Sequence, residues 1–113
     1  MNTICALLEI TPNTIENSKY LKKFALNVAK ETCTIGKAFG IKINEMNIAN
    51  NIKLSCKEHG EHKPSMLQDV LLKKKTEIDS LNGEVVRIGS KLKMSAPLNT
   101  SLFNLIKAKE NNY

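Results

Sequence analysis

Between Ser65 and Asn82 the chain gathers Ser65, Gln68, Asp69, Glu77, Asp79 and Asn82 around two short apolar runs. Hydroxyl, carboxylate and carboxamide groups can hold a small polar ligand in one pose, or move a proton to and from it. A helix that only packs needs few of them. Glu77 also has a plainer reading, because a carboxylate in the first turn of a helix is stabilising without any catalytic duty. A second set, Cys56-x-x-His59-x-x-His62, carries metal-binding residue types at steps of three. Gly60 and Pro64 imply that its helix ends there, no fourth ligand is obvious, and structural zinc sites usually use two separated ligand pairs. We expect no metal site, and read this set as a helix C-terminus with two partly exposed histidines.

The 113 residues fit one domain, with 42% hydrophobic and 25% charged residues, ordinary for a globular protein. No apolar run approaches membrane-spanning length and no leader pattern opens the chain, so we expect no membrane segment and a cytoplasmic protein. Cys5, Cys33 and Cys56 are odd in number and lack a tight pairing pattern, consistent with reduced thiols. The net charge of +6 raises the question of nucleic acid. The lysines are spread along the chain, aromatic residues are few, and no zinc-finger spacing occurs. Solvated helix faces explain such lysines, and we expect no nucleic-acid partner.

The elements that must position these groups are helical. Apolar positions at Leu21, Phe24, Ala25, Val28, Ile35 and Phe39 step by three and four, predicting a helix over 18–39. Asn17 or Ser18 can cap its start, and Gly40 stands where a left-handed residue is wanted. A second helix is expected after Asn44, through Ile48, Ile52 and Cys56, ending near Gly60. Pro64 restarts the chain into a short helix from Ser65 to about Lys73. Thr76-Glu77-Ile78-Asp79 has capping-box spacing and predicts a long helix over 77–94, with Ile78, Leu81, Val85, Ile88 and Leu92 along one stripe. Gly83 costs that helix about 1 kcal/mol and is best explained by a neighbouring helix close by. Pro97 closes the region, Asn99 or Thr100 caps the last helix, and its end, "KAKENNY", should fray. Met1 to Leu8 reads as the tail of a helix already under way. No stretch alternates long enough for a strand, so the expected fold is all-α.

The runs "KPSMLQDV", "EIDSLNGEVVRIGSKL" and "APLNTSLFNLIKAKE" together resemble the C-terminal domain of the ketopantoate reductase (2-dehydropantoate 2-reductase) family. The resemblance covers nearly the whole chain and is strongest from Pro64 to Leu105. It implies an all-helical domain that closes over the substrate beside an N-terminal Rossmann domain holding NADP. It also implies a reaction: hydride passes from NADPH to the 2-oxo carbon of ketopantoate while a lysine donates a proton, giving pantoate for coenzyme A. By resemblance Glu77 is the catalytic glutamate that works with that lysine. Ser65 is the serine that hydrogen-bonds the substrate, and Asn2 and Asn13 are substrate-side asparagines. Asp69 supports the site.

The departures matter as much. The family's lysine would fall before Met1, and no G-x-G-x-x-G occurs in the sequence. The expectation is therefore a single helical domain over 1–113, without the cofactor domain and the lysine, and inactive alone. It would work with an N-terminal Rossmann domain, as a fragment, a split gene product or a deliberately cut piece. The alternative is a free-standing helical interaction module derived from that domain, self-associating through the surface left uncovered. Either reading predicts a homo-oligomer.

Overall fold

The computed structural model describes residues 1–58 and 60–113, and of residues 45, 46, 48, 49 and 55 the backbone only. The described residues form seven α-helices and one 3-10 turn, with no strand. The all-α expectation holds. Helix α1 covers Asn2–Leu8, α2 Pro12–Glu16, α3 Lys19–Ala38 and α4 Glu45–Glu58. Helix α5 covers Ser65–Leu71, the 3-10 turn Ile78–Ser80, α6 Asn82–Lys91 and α7 Pro97–Asn111.

Two helix ends follow the sequence closely. Ser18 Oγ accepts the Leu21 amide at 3.3 Å and starts α3, and Gly40 closes it with φ 98°. The same left-handed ending recurs without glycine at Glu9, Lys73 and Lys93, with φ 55–57°. After each, the next residue's amide reaches back to a carbonyl of the last turn: Ile10 to Cys5, Lys74 to Asp69, Met94 to Gly89. The three non-glycine residues bear a steric cost of roughly 1 kcal/mol each to make these closures.

Helix α1 is the central plank, with Thr3, Ile4, Cys5 and Ala6 all buried. Ile4 and Cys5 join Ile15, Ala25 and Leu102 in one half of the core. Ala6 joins Met66, Val70, Ile78 and Ile106 in the other. Helix α7 bridges the halves in one turn, giving Leu102 to the first and Ile106 to the second. At α4, Cys56 is buried and Ile52 half-buried, while the Ile48 side chain lies outside the described residues.

Three expectations need correction. The predicted helix over 77–94 is two pieces. The 3-10 turn ends at Leu81, whose φ −104° and ψ −99° break the helix before α6 begins. A continuous helix would put Ile78 and Leu81 on one stripe. Instead the break re-phases the chain: Ile78 is fully buried, Leu81 is 37% exposed, and Asn82 turns inward. With no helix starting at Thr76, its hydroxyl serves a different partner and the capping box does not form.

Helix α7 begins at Pro97 rather than under a cap from Asn99 or Thr100. Its cap comes from another helix, since Glu31 on α3 accepts the Leu98 and Asn99 amides at 3.0 and 2.9 Å. A carboxylate at that end also complements the helix dipole. Finally, the C-terminal end does not fray. Helix α7 runs to Asn111, and Tyr113 Oη donates to the Lys74 carbonyl at 2.9 Å. The short α2, which the apolar spacing does not signal, starts with Pro12 at its first position.

Candidate functional site

Ser65 opens α5 with Pro64 as its N-cap, so its hydroxyl stands at the helix start facing the loop that follows Leu72. From that loop Glu77 turns back, and Ser65 Oγ donates to Glu77 Oε1 at 3.0 Å. One residue on, the Met66 amide donates to Asn2 Oδ1 at 3.3 Å, tying the start of α5 to the start of α1. Asn2, Ser65 and Glu77 are thus neighbours through one backbone step, although 75 positions separate the first from the last.

Asn13 has different partners. Its amide bonds the Gly60 carbonyl at 2.9 Å, and its side chain donates to Glu61 at 3.2 Å. It lines a shallow concavity with Gly60, Glu61 and His62. Asp69 lies one helical turn beyond Ser65, toward the C-terminal end. There its charge adds to that of Glu110 and to burial in raising the Tyr113 phenol above its ordinary range, burial being the largest cause.

The other polar groups of the segment have structural work. Gln68 donates to the Lys63 carbonyl at 2.7 Å, and Asp79 pairs with Lys107 at 2.9 Å. Asn82 belongs to a buried chain that the sequence pattern does not announce. Thr3 donates to Asn82, Asn82 to Asn99 at 2.9 Å, and Asn99 to Glu31 and Thr32 at 2.9 and 3.2 Å. The chain crosses from α1 through α6 and α7 to α3. Every member is satisfied, which is the condition for a buried polar network to specify one packing rather than weaken it. A groove of about 470 Å³ opens beside it, lined by Asn2, Asn82 and Asn99 together with Val28, Val85 and Ile88.

Among the described residues no group of three or more His, Cys, Asp and Glu could hold a metal ion. His59 lies outside them, and with it the trio of Cys56, His59 and His62. Cys56 itself is 2% exposed and its Sγ stands 3.3 Å from Met1 Sδ. Burial, with the nearby Glu16 charge adding to it, raises its thiol above the ordinary range. Gly83 has the packing role the sequence suggests: a Cβ there would lie 3.0 Å from the Phe103 ring and 3.1 Å from the Ile78 carbonyl.

Ser65 and Glu77 are both exposed, and neither lines the groove or the concavity. Ser65 and Glu77 face open solvent, with the half-buried Asn2 one residue away. The fold places the chain in the class of all-helical domains. Residues 1–110 match the family described as "Ketopantoate reductase PanE/ApbA C terminal", and the chain belongs to that family. It is 37% identical to the 2-dehydropantoate 2-reductase of Pyrococcus horikoshii, over 97% of this chain and 36% of that protein. It is 36% identical to the enzyme of the same name from Pyrobaculum aerophilum, over 97% and 39%. In structure it is similar to a D-mandelate dehydrogenase solved with NADH and anilino(oxo)acetate. The TM-score is 0.92 at 27% identity, covering 99% of this chain and 37% of that one. The chain thus spans less than two-fifths of the length of these relatives.

Proposed function

We propose that this chain is the substrate-side half of a ketopantoate reductase, an NADPH-dependent enzyme reducing 2-dehydropantoate to pantoate. The observation that carries the reading is the Ser65–Glu77 hydrogen bond, with Asn2 fixed one residue away. In this reading Glu77 is the catalytic carboxylate that orients the proton donor, Ser65, Asn2 and Asn13 bind the 2-oxo acid, and Asp69 supports them. A hydroxyl and carboxamides suit a ligand whose carboxylate and carbonyl oxygens accept hydrogen bonds.

In this reading the main dinucleotide site lies outside these residues. No G-x-G-x-x-G occurs in the sequence, and Gly83 and Gly89 are taken up by contacts with Phe103 and Ile35. The hydride source therefore belongs to a Rossmann unit facing Ser65 and Glu77, which also excludes the water that weakens polar contacts on an open surface. No helix is long and apolar enough to cross a membrane among the described residues. The compartment this reading implies is the cytoplasm.

The test joins the dinucleotide-binding portion of the Pyrococcus horikoshii relative ahead of Met1. NADPH-dependent reduction of ketopantoate is expected from the fusion and not from the 113 residues alone. An inert, well-folded fusion, together with a chain that self-associates and ignores ketopantoate, would favour the interaction-module reading instead.

A further inference from the structure

The segment that carries Glu77 has little regular structure of its own. It leaves α5 at Leu72 and turns at Lys73 with φ 57°, entering the short 3-10 turn only at Ile78. What fixes it is the last part of α7 and the residues just beyond. Three side chains spaced by three along that end reach three points of the segment. Lys107 Nζ meets Asp79 at 2.9 Å. Glu110 Oε2 accepts both the Thr76 amide at 2.6 Å and the Thr76 hydroxyl at 2.9 Å. Tyr113 Oη donates to the Lys74 carbonyl at 2.9 Å. The rungs run antiparallel and bracket Glu77 on both sides. Thr76 Oγ1, held by Glu110, in turn accepts the Ile78 amide at 3.3 Å, so the backbone is gripped immediately before and after Glu77.

We propose that Glu110, assisted by Tyr113, is a positioning residue that sets Glu77 against Ser65. The proposal rests on the functional reading above for the importance of Glu77, but not for the geometry. Ser65 belongs to α5 and Glu77 to the clamped segment, so their 3.0 Å bond is only as well defined as the segment's backbone. A hydrogen bond of this length weakens steeply when its partners part by more than about half an ångström. Thr76 is buried and both of its donors converge on one carboxylate oxygen, which makes Glu110 the strongest of the rungs. The exposed Lys107–Asp79 pair contributes less.

Because a single oxygen accepts both donors, a glutamine carbonyl can replace it without the charge. Glu110→Gln should therefore keep most of the parent's behaviour, and Glu110→Ala should not. In the isotope-labelled 113-residue chain, Glu110→Ala is expected to speed exchange of the Thr76 amide about tenfold or more. It should also abolish the Ser65–Glu77 side-chain cross-peaks while those of Ile4 with Ile15 persist. Tyr113→Phe, which keeps the ring and removes one rung, should give a smaller change in the same direction and serves if Glu110→Ala fails to fold. In the fusion, Glu110→Ala should lower kcat about tenfold with the KM for NADPH unchanged, and Glu110→Gln should restore it. Ser65–Glu77 cross-peaks that survive Glu110→Ala, or a Glu110→Gln variant as impaired as Glu110→Ala, would overturn the proposal. So would an active fusion whose kcat is indifferent to Glu110→Ala. A wild-type fusion without turnover counts against the functional reading, and the cross-peaks alone then decide the clamp.

Discussion

Ser65 Oγ and Glu77 Oε1, 3.0 Å apart, join the first residue of α5 to the loop that follows the same helix. A carboxylate accepting a hydroxyl at that distance has one lobe engaged and another free to meet a second donor. In the active fusion, Glu77→Ala should lower kcat/KM by roughly 10²-fold, the scale of a lost group that orients proton transfer. Ser65→Ala should act mainly on the KM for the 2-oxo acid. Lys23→Ala, exposed on α3, should leave both constants unchanged.

The buried chain from Thr3 to Glu31 yields a stability prediction. Asn99 is 1% exposed and both receives from Asn82 and donates to Glu31 and Thr32. Asn99→Leu strands the Asn82 amide in the interior, at a cost of about 1–3 kcal/mol. Urea unfolding should show a lower midpoint at unchanged slope, whereas Thr34→Ala, on an exposed position, should stay within about 0.5 kcal/mol of the parent.

At Gly83 propensity and packing oppose each other. Alanine gains about 1 kcal/mol of helix propensity in α6, yet its Cβ would press on the Phe103 ring and the Ile78 carbonyl. The carbonyl belongs to the 3-10 turn and has little room to retreat. We expect Gly83→Ala to destabilise the fold by about 1 kcal/mol net, read as a fall in thermal midpoint.

Why some of this is legible in the sequence and some is not follows from distance along the chain. Ser18 and Gly40 act within their own helix, and their residue types announce them. The Leu81 break is hidden because steps of three and four continue across it; only the polar Asn82 next to Gly83 hints that the phase resets. Glu31 caps a helix 67 positions away, so no local pattern can reveal it. "KAKENNY" has the composition of a solvated tail, and only the fold shows Glu110 and Tyr113 meeting Thr76 and Lys74. For the site, spacing alone leaves Glu77 an ordinary first-turn carboxylate. Family resemblance singles out Glu77, Ser65, Asn2, Asn13 and Asp69; the fold sets the first three side by side, gives Asn13 a separate set of partners and leaves Asp69 one turn along α5.

Cys5 supplies a pH dependence. Burial is the main influence on its thiol, which is pushed up to about 11 from an ordinary value near 9. The unfolded chain ionises this thiol first, so its contribution is complete below about pH 9 and is lost as pH rises toward 11. That contribution is on the order of 2 kcal/mol. Cys5→Ala should flatten the decline in urea midpoint between pH 9 and 11 relative to the parent chain.

Exposed apolar side chains lead to an expectation about assembly. Leu8, Tyr20, Leu71, Leu72 and Leu105 all lie open to solvent. Apolar surface of this kind tends to find a partner. Light scattering of the 113-residue chain at micromolar concentration should report a dimer or larger, and the fusion should bury part of the same surface. A sharp monomer across that range would count against self-association.

The bridging role of α7 bears on how the protein is made. Leu102 and Ile106 complete the two halves of the core, and Lys109 reaches Glu9 across 100 positions of sequence. Helix α1 can pack on α5 before α7 is present, but each half of the core then lacks the side chain that α7 supplies. Contacts of such long span form late and hold back the whole transition. Removing residues 102–113 takes a buried side chain from each half of the core, and the shortened chain should lose the cooperative urea transition of the parent.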